Sequence, residues 1–263
     1  MNYIINNELI LSEGLTIESL LRGFVGIITI LSIAFLFSSN KKKIAWKTVF
    51  YALLSQILLG ILILKVPFVQ LIFEKAGSVF VKLIDFTREG TIFVFFFFFK
   101  PKTTSYIWSF EILSTVIFFS SITSLLFYFG IIQKVVSFFA KLYTKILKIS
   151  GSESLSVIGN IFLGQTEAPL LIKAYLPKMN KSEILLVMVG GMATVAGGVL
   201  AAYIAFLGGD DPEKQIQFAK HLLTASVMAA PGAILISKIL IPQNEEINSD
   251  INISEYDAGS NIL

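Results

Sequence analysis

Residues Ser150–Met179 read SGSESLSVIGNIFLGQTEAPLLIKAYLPKM, and the fold turns on this stretch. Ser150 and Glu153 stand at capping-box spacing, the signature of a helix start. An apolar run from Leu155 to Leu163 follows and holds Asn160. Gly164, Gln165, Thr166, Glu167, Ala168 and Pro169 interrupt it, and a second apolar run from Leu170 to Leu176 ends at Pro177. Each run is too short to cross a hydrocarbon core of ~30 Å, which takes ~20 helical residues. Two short helices around a Gly-to-Pro break predict a re-entrant hairpin over 150–179. Non-helical backbone survives at membrane depth only where protein or a water-filled cavity satisfies its polar groups. The break carries an amide, a hydroxyl and a carboxylate in succession. An ionisable group at that depth marks a functional site, and broken helices at the midplane are where secondary transporters hold substrate and coupling ion. The same residues also admit a polar loop outside the membrane that joins two ordinary short helices.

The surrounding chain selects a membrane setting. Of 263 residues, 55% are apolar and only 15% charged, and mean hydropathy is +0.78. Soluble domains carry about a quarter charged residues. There is no cysteine, and His221 is the single histidine. Disulfide frameworks, cysteine-ligated metals and histidine-cluster metal sites are therefore excluded. The net charge of +3 is mild, and the basic residues sit beside apolar runs, which suits a membrane–water boundary rather than a nucleic-acid partner. No cleavable signal is expected from the polar, acidic start between Met1 and Glu13.

Spans are expected over Leu20–Phe37, with Arg22 snorkelling to the interface, and over Ile44–Leu64. Lys41, Lys42 and Lys43 between them form a cytoplasmic anchor under the positive-inside rule. Charges recur among apolar residues from Pro67 to Arg88, the pattern of an amphipathic helix lying on the membrane or packed beside it. Ile92–Phe99, ending in five phenylalanines, is too short to span and is expected to be an apolar plug. A third span covers Ile107–Ile132, with Glu111 near the interface. Lys134, Lys141, Lys145 and Lys148 then line one face of a basic interfacial helix.

A span free of charge runs over Ile184–Leu207, and another over Leu222–Ile241, broken in polarity only by Lys238 near its end. Gly190, Gly191, Gly197 and Gly198 flank Met192–Ala196. They serve close helix packing or a local unwinding. In the second case, freed carbonyls, the Thr194 hydroxyl and the Asn160 amide oxygen make a neutral donor set for a hard monovalent cation such as sodium. The fold expected is thus an all-α integral membrane protein with about five transmembrane helices, interfacial amphipathic helices and one re-entrant hairpin. Its parts are an N-terminal helical region over 1–133, a transport repeat over 134–242 (hairpin 150–179, broken helix 184–207, helix 222–241) and a polar tail over 243–263.

Three motifs bring a family into view. Ser150-Gly-Ser-Glu-Ser-Leu with Asn160-Ile-Phe-Leu-Gly-Gln-Thr-Glu-Ala-Pro-Leu-Leu171, then Gly190-Gly-Met-Ala-Thr-Val-Ala-Gly-Gly-Val-Leu200, then Leu222-Leu-Thr-Ala-Ser-Val-Met-Ala-Ala-Pro231 together resemble the concentrative nucleoside transporter family. The resemblance implies that Gln165, Thr166 and Glu167 at the hairpin tip hydrogen-bond the nucleobase, with Val199 packing near it. It implies a sodium site drawn from Asn160, Leu163, Thr194 and Val195. It further implies sodium-coupled symport in the cell inner membrane, a homotrimer, and no cofactor beyond the coupling ion. The Thr-Glu-Ala-Pro wording looks like the sodium-coupled members. The family's second inverted repeat, which supplies the ribose-binding residues, is expected to be missing after Pro242. The chain is then the first half of a carrier, one part of a split transporter, or an inactive truncated remnant. An embedded enzyme built on Glu167 lacks the second positioned group that acid–base chemistry needs.

Overall fold

The computed structural model describes residues 17–94, 108–165, 167–209 and 211–245, and among them every regular element is helical. Helix α1 covers Ile17–Leu36 and buries only Ala34 within the chain. Near its start the Arg22 guanidinium donates to Glu18 at 2.8 Å, one turn away. After a single 3-10 turn at Lys41–Lys43, α2 covers Trp46–Lys65. Both match the expected spans within a few residues, because a mainly apolar run about 20 residues long, with its charges near the ends, has no other low-energy form in lipid.

Helix α3 runs over Pro67–Val94, six residues past the expected Arg88. It buries Gly77, Val81, Ile84, Thr87 and Thr91, so the amphipathic reading resolves into a helix packed on protein. The first part of the Ile92–Phe99 run continues α3, while the phenylalanines from Phe95 onward lie outside the described residues. Helix α4 covers Trp108–Tyr128 and α5 covers Ile131–Leu147. The expected third span to Ile132 is therefore too long. Gly130, at φ 70°, turns the chain in the left-handed region that favours glycine, and the two helices meet at 76°. Ile131 and Ile132 belong to the basic helix, not to the span.

Helix α6, Gly151–Phe162, carries the predicted capping box. The Glu153 N–H donates to Ser150 Oγ (3.2 Å) and the Ser150 N–H to Glu153 Oε2 (2.9 Å). Eleven consecutive residues of α6, Gly151–Ile161, are buried, as befits a helix held inside protein. The second hairpin arm departs from expectation. Only α7, Ala168–Leu171, is α-helical. Turns follow, and then a 3-10 turn at Leu176–Lys178. Pro177 has no N–H to donate, so it cannot continue a regular α-helix from the residues before it.

Helices α8, Lys181–Ala193, and α9, Gly197–Gly208, confirm that the uncharged span is broken. It starts three residues before Ile184, because Asn180 and Glu183 form a second capping box. Helix α10 covers Pro212–Leu240, ten residues earlier than the expected Leu222. Its start is set by Asp211, whose side chain accepts from the Glu213 and Lys214 N–H groups, and by Pro212 in the first turn. The Lys214 N–H bond holds the Asp211 carboxyl below its usual range against an opposing desolvation, with the Glu213 N–H and the Lys214 charge adding to it. Hydropathy missed this first third because it is polar. It packs on α3, where a Cβ on Gly77 would sit 3.1 Å from that of Ala219.

Helix α10 is the central post, packed against α2, α3, α8, α9 and α6. One apolar core joins α2, α5, α6, α8 and α10. A second, around Val81, Phe119, Leu200 and Ala219, joins α3, α4, α9 and α10. Four helical stretches are long and apolar enough to cross a membrane, α8–α9 counting as one, and the α4–α5 pair raises this to five.

Candidate functional site

Asn160 sits in the last turn of α6 and is fully buried. Neither its Oδ1 nor its Nδ2 has a hydrogen-bond partner. Each unmet buried polar atom costs about 1–3 kcal/mol, so a native protein keeps such a group only for a reason. What surrounds the amide is backbone. A Cβ on Gly190 would lie 3.3 Å from Asn160 Nδ2, and one on Gly191 would lie 3.9 Å from Oδ1. The absent side chains of the glycine pair let α8 pass directly over the amide.

The same glycines hold the hairpin tip. A Cβ on Gly191 would meet Gln165 Cβ at 3.1 Å, and one on Gly197, across the break, would meet the Phe162 carbonyl oxygen at 3.1 Å. Residues 160–165 are thus wedged against both sides of the α8–α9 break. Within the hairpin, Gly159 admits Leu171 and Ala168 from the second arm. The sequence presented the glycines as either packing or unwinding residues. They do both, since the chain unwinds at Thr194–Ala196 and the tip fills the space.

Two helix C-termini therefore converge, those of α6 at Phe162 and α8 at Ala193. A helix C-terminus carries unpaired carbonyls and a partial negative charge, which favour a cation. Thr194 caps α8 in extended geometry, and its hydroxyl donates to the Gly190 carbonyl at 3.0 Å. The proton is committed inward, so the oxygen lone pairs stay free for a cation. Leu163 caps α6, also extended, with its side chain buried. Val195 lies in the break and packs toward the second core. The structure brings all four predicted sodium residues to this junction. Among the described residues no three Asp, Glu, His or Cys side chains come together, and Asn160, Leu163, Thr194 and Val195 themselves offer only neutral oxygens.

Of the predicted base-reading residues, Gln165 is exposed at the tip and Glu167 is half-buried at the start of α7. Thr166 lies outside the described residues. Val199, 39% exposed, stands in the first turn of α9, two residues after Gly197. A polar, accessible edge thus lies next to the buried junction. An apolar groove of about 680 Å³ between α1, α2, α8 and α10 offers only Gln56 and Lys65 as polar side chains. It lacks the convergent polar groups that would read a base.

A second polar centre was not expected. Lys238, near the end of α10, is buried. Its ammonium pairs with Glu153 and also donates to Ser182 Oγ (3.1 Å) and Gln243 Oε1 (3.3 Å). Ser182 in turn donates to the Ile241 carbonyl at 2.7 Å. The starts of α6 and α8 and the end of α10 are locked together at the foot of the hairpin. Ser156, one turn before Asn160, is likewise buried with an unpartnered hydroxyl.

Known proteins resemble this chain along most of its length. Residues 25–97 match a profile described as the N-terminus of Na+ dependent nucleoside transporters, and residues 109–210 match one described as nucleoside recognition. The nucleoside permease NupC of Helicobacter pylori is 38% identical over 90% of this chain and 56% of its own length. Solute carrier family 28 member 3 of mouse is 39% identical over 85% of this chain and 30% of its own length. CNTnw in an inward-facing substrate-bound state superposes with a TM-score of 0.79 at 34% identity, covering 88% of this chain and 54% of that one. A doubly substituted CNTnw in an outward-facing state gives 0.81 at 33% identity, covering 93% and 57%. The chain spans about a third to somewhat over half the length of these relatives.

Proposed function

Since the chain belongs to the concentrative nucleoside transporter family and is a multi-pass membrane protein, we propose that it supplies the sodium site and the nucleobase-reading hairpin of a sodium–nucleoside symporter in the cell inner membrane. The observation that carries the proposal is the unpartnered Asn160 amide, buried beside two converging helix C-termini and directly under the exposed Gln165 tip.

The mechanism follows from the charges. Sodium at the junction accepts electron density from Asn160 Oδ1, Thr194 Oγ1 and the carbonyls of Leu163 and Val195. It relieves the repulsion between two negative helix ends and gives the orphaned amide oxygen a partner. The tip is then held at a fixed distance from the α8–α9 break. Gln165, Thr166 and Glu167 present donors and acceptors at fixed positions, and Val199 offers an apolar flank to the base. Ordering the tip before the base arrives lowers the entropy cost of binding it, so the ion and the nucleoside bind cooperatively. Alternating access then moves the loaded hairpin between the two faces of the membrane. The exposed apolar faces of α1, α2 and α4 accommodate lipid and the neighbouring copies of a homotrimer.

The test is uptake of labelled uridine and adenosine in cells lacking their own carriers, with and without sodium. The chain is expressed alone and joined to the second half of a family member. Sodium-dependent uptake by either form supports the proposal. Silence from both, with protein confirmed in the membrane, overturns it and favours an inactive remnant.

A further inference from the structure

Helix α5 presents three separate stripes. At 100° per residue, Lys134, Lys141, Lys145 and Lys148 fall within an arc of about 60°, and all four are exposed. An adjoining arc of about 80° holds Phe138, Leu142, Ile146 and Val135, apolar and also exposed. Opposite these, Val136, Ala140 and Leu147 are buried against the protein. A helix with one face on protein, one apolar and one cationic lies along a membrane surface. The 76° bend turns α5 away from the axis of α4.

Among the described residues no carboxylate neutralises the positive stripe. Helix α5 carries no Asp or Glu. Of the helices packed on it, α2 carries none, the single acid of α4, Glu111, stands in that helix's first turn, at the end away from α5, and the Glu153 carboxylate of α6 is committed to Lys238. Among the described residues, no carboxylate pairs with any of the four lysines.

Lys41–Lys43 join the same end. The Ser39 N–H donates to the Leu240 carbonyl at 2.8 Å, next to the Lys238–Glu153 lock that follows α5 in the chain. Ile44 and Val49 share a core with Val136, Ala140 and Leu147. Seven exposed lysines therefore gather at one end of the helices. The opposite end holds α3, whose Glu74, Lys75, Lys82, Asp85, Arg88 and Glu89 mix both signs. Such asymmetry sets the lysine end on the cytoplasmic side, where the leaflet is anionic.

We propose that the lysine stripe of α5, with Lys41–Lys43, is a docking surface for the anionic phospholipid headgroups of that leaflet. The apolar stripe beside it enters the acyl region, so phosphate and acyl chain are engaged together, which a free phosphate cannot do. Thr144 Oγ1 donates to Ser154 Oγ at 2.7 Å, tying α5 to α6, so docked lipid holds the foot of the hairpin at headgroup depth. The experiment reads lipid, not transport, so its outcome is independent of the function proposed above.

The purified full chain is equilibrated with mixed micelles of phosphatidylglycerol and phosphatidylcholine in equal amounts, and retained lipids are counted by native mass spectrometry. Phosphatidylglycerol should be retained about tenfold over phosphatidylcholine, with the preference falling steeply at 1 M salt. Replacing Lys134, Lys141, Lys145 and Lys148 with Gln should abolish the preference, and replacing all four with Arg should keep it. If the Gln variant does not fold, the salt titration of the native chain and the Arg variant decide. Equal retention of both lipids by the native chain, an unchanged preference in a folded Gln variant, or displacement of the lipid by inorganic phosphate at millimolar concentration overturns the proposal.

Discussion

A single amide concentrates the chemistry of this chain. Asn160 is buried with both polar atoms unmet, and at the proposed sodium site an arriving cation would repay the desolvation. Asn160→Ala removes the oxygen donor at little cost to packing. The sodium concentration for half-maximal uptake should rise about tenfold or more, equal to ~1.4 kcal/mol of ion binding, while nucleoside affinity at saturating sodium changes less. An unchanged sodium dependence would remove Asn160 from the site. Glu167→Gln should instead raise the nucleoside KM by one to two orders of magnitude, because a hydrogen bond from a charged partner contributes about 1.5–3 kcal/mol. Uptake at ordinary affinity in that variant would end its assigned role. Lys238 and Glu153 act as a pair. Lys238→Met leaves a buried carboxylate whose ammonium partner is gone, at a cost of about 3–5 kcal/mol, whereas a neutral pair of similar size restores most of it. Thermal unfolding in micelles should therefore show a large loss for Lys238→Met and substantial recovery for Glu153→Gln with Lys238→Met, where Gln keeps the cap bond to Ser150. Equal Tm values for the single variant and the native chain would mean that the lock contributes nothing.

Between elements, the decisive contact is the hairpin tip against the α8–α9 break. Both halves of that contact were legible as motifs, since Gly164–Pro169 announces interrupted helix and the Gly190–Gly198 cluster admits either close packing or interruption. Their meeting was not legible, because no residue in either stretch encodes the distance between them. Gly191→Val tests the contact. The added methyls start from a Cβ already 3.1 Å from that of Gln165, so the tip must move. Nucleoside uptake should fall at least tenfold, with the protein still present in the membrane. Retained uptake would show that the tip has room to spare. Other misreadings have local causes. Asp211 and Asn180 are short polar caps ahead of helices, yet hydropathy weighed them as loop, so α10 and α8 began later on paper than in space. The second hairpin arm looked helical by apolarity, although Pro169 and Pro177 confine regular helix to a single turn.

For the whole molecule, α1 buries little within the chain, and α2 and α4 also turn large apolar side chains outward. Lipid covers part of this surface, and the proposed homotrimer covers part of the rest. A native mass measured in mild detergent should return three copies, and a monomer across all detergents would exclude that assembly. The two cores give the chain a rigid framework: α10 belongs to both, with α6 and α8 in the first and α9 in the second. The hairpin foot is locked to α10, whereas its tip faces the break. Ligand-linked rearrangement is therefore expected at the tip rather than the foot.

The sequence alone determined the solvent of this protein, its helical class, the run of its spans, the hairpin and the residue types at its tip. These follow from local quantities: the length of an apolar run, the position of a cap, the placement of glycine and proline. Tertiary structure decided which of those residues meet. It set Asn160 under the Gly190–Gly191 backbone and left its amide without a partner. It turned Lys238 inward to Glu153, 85 positions away, and it gathered the lysines of two separated segments at one end. Such pairings depend on how helices pack, and packing is settled by the shapes of all the side chains at once.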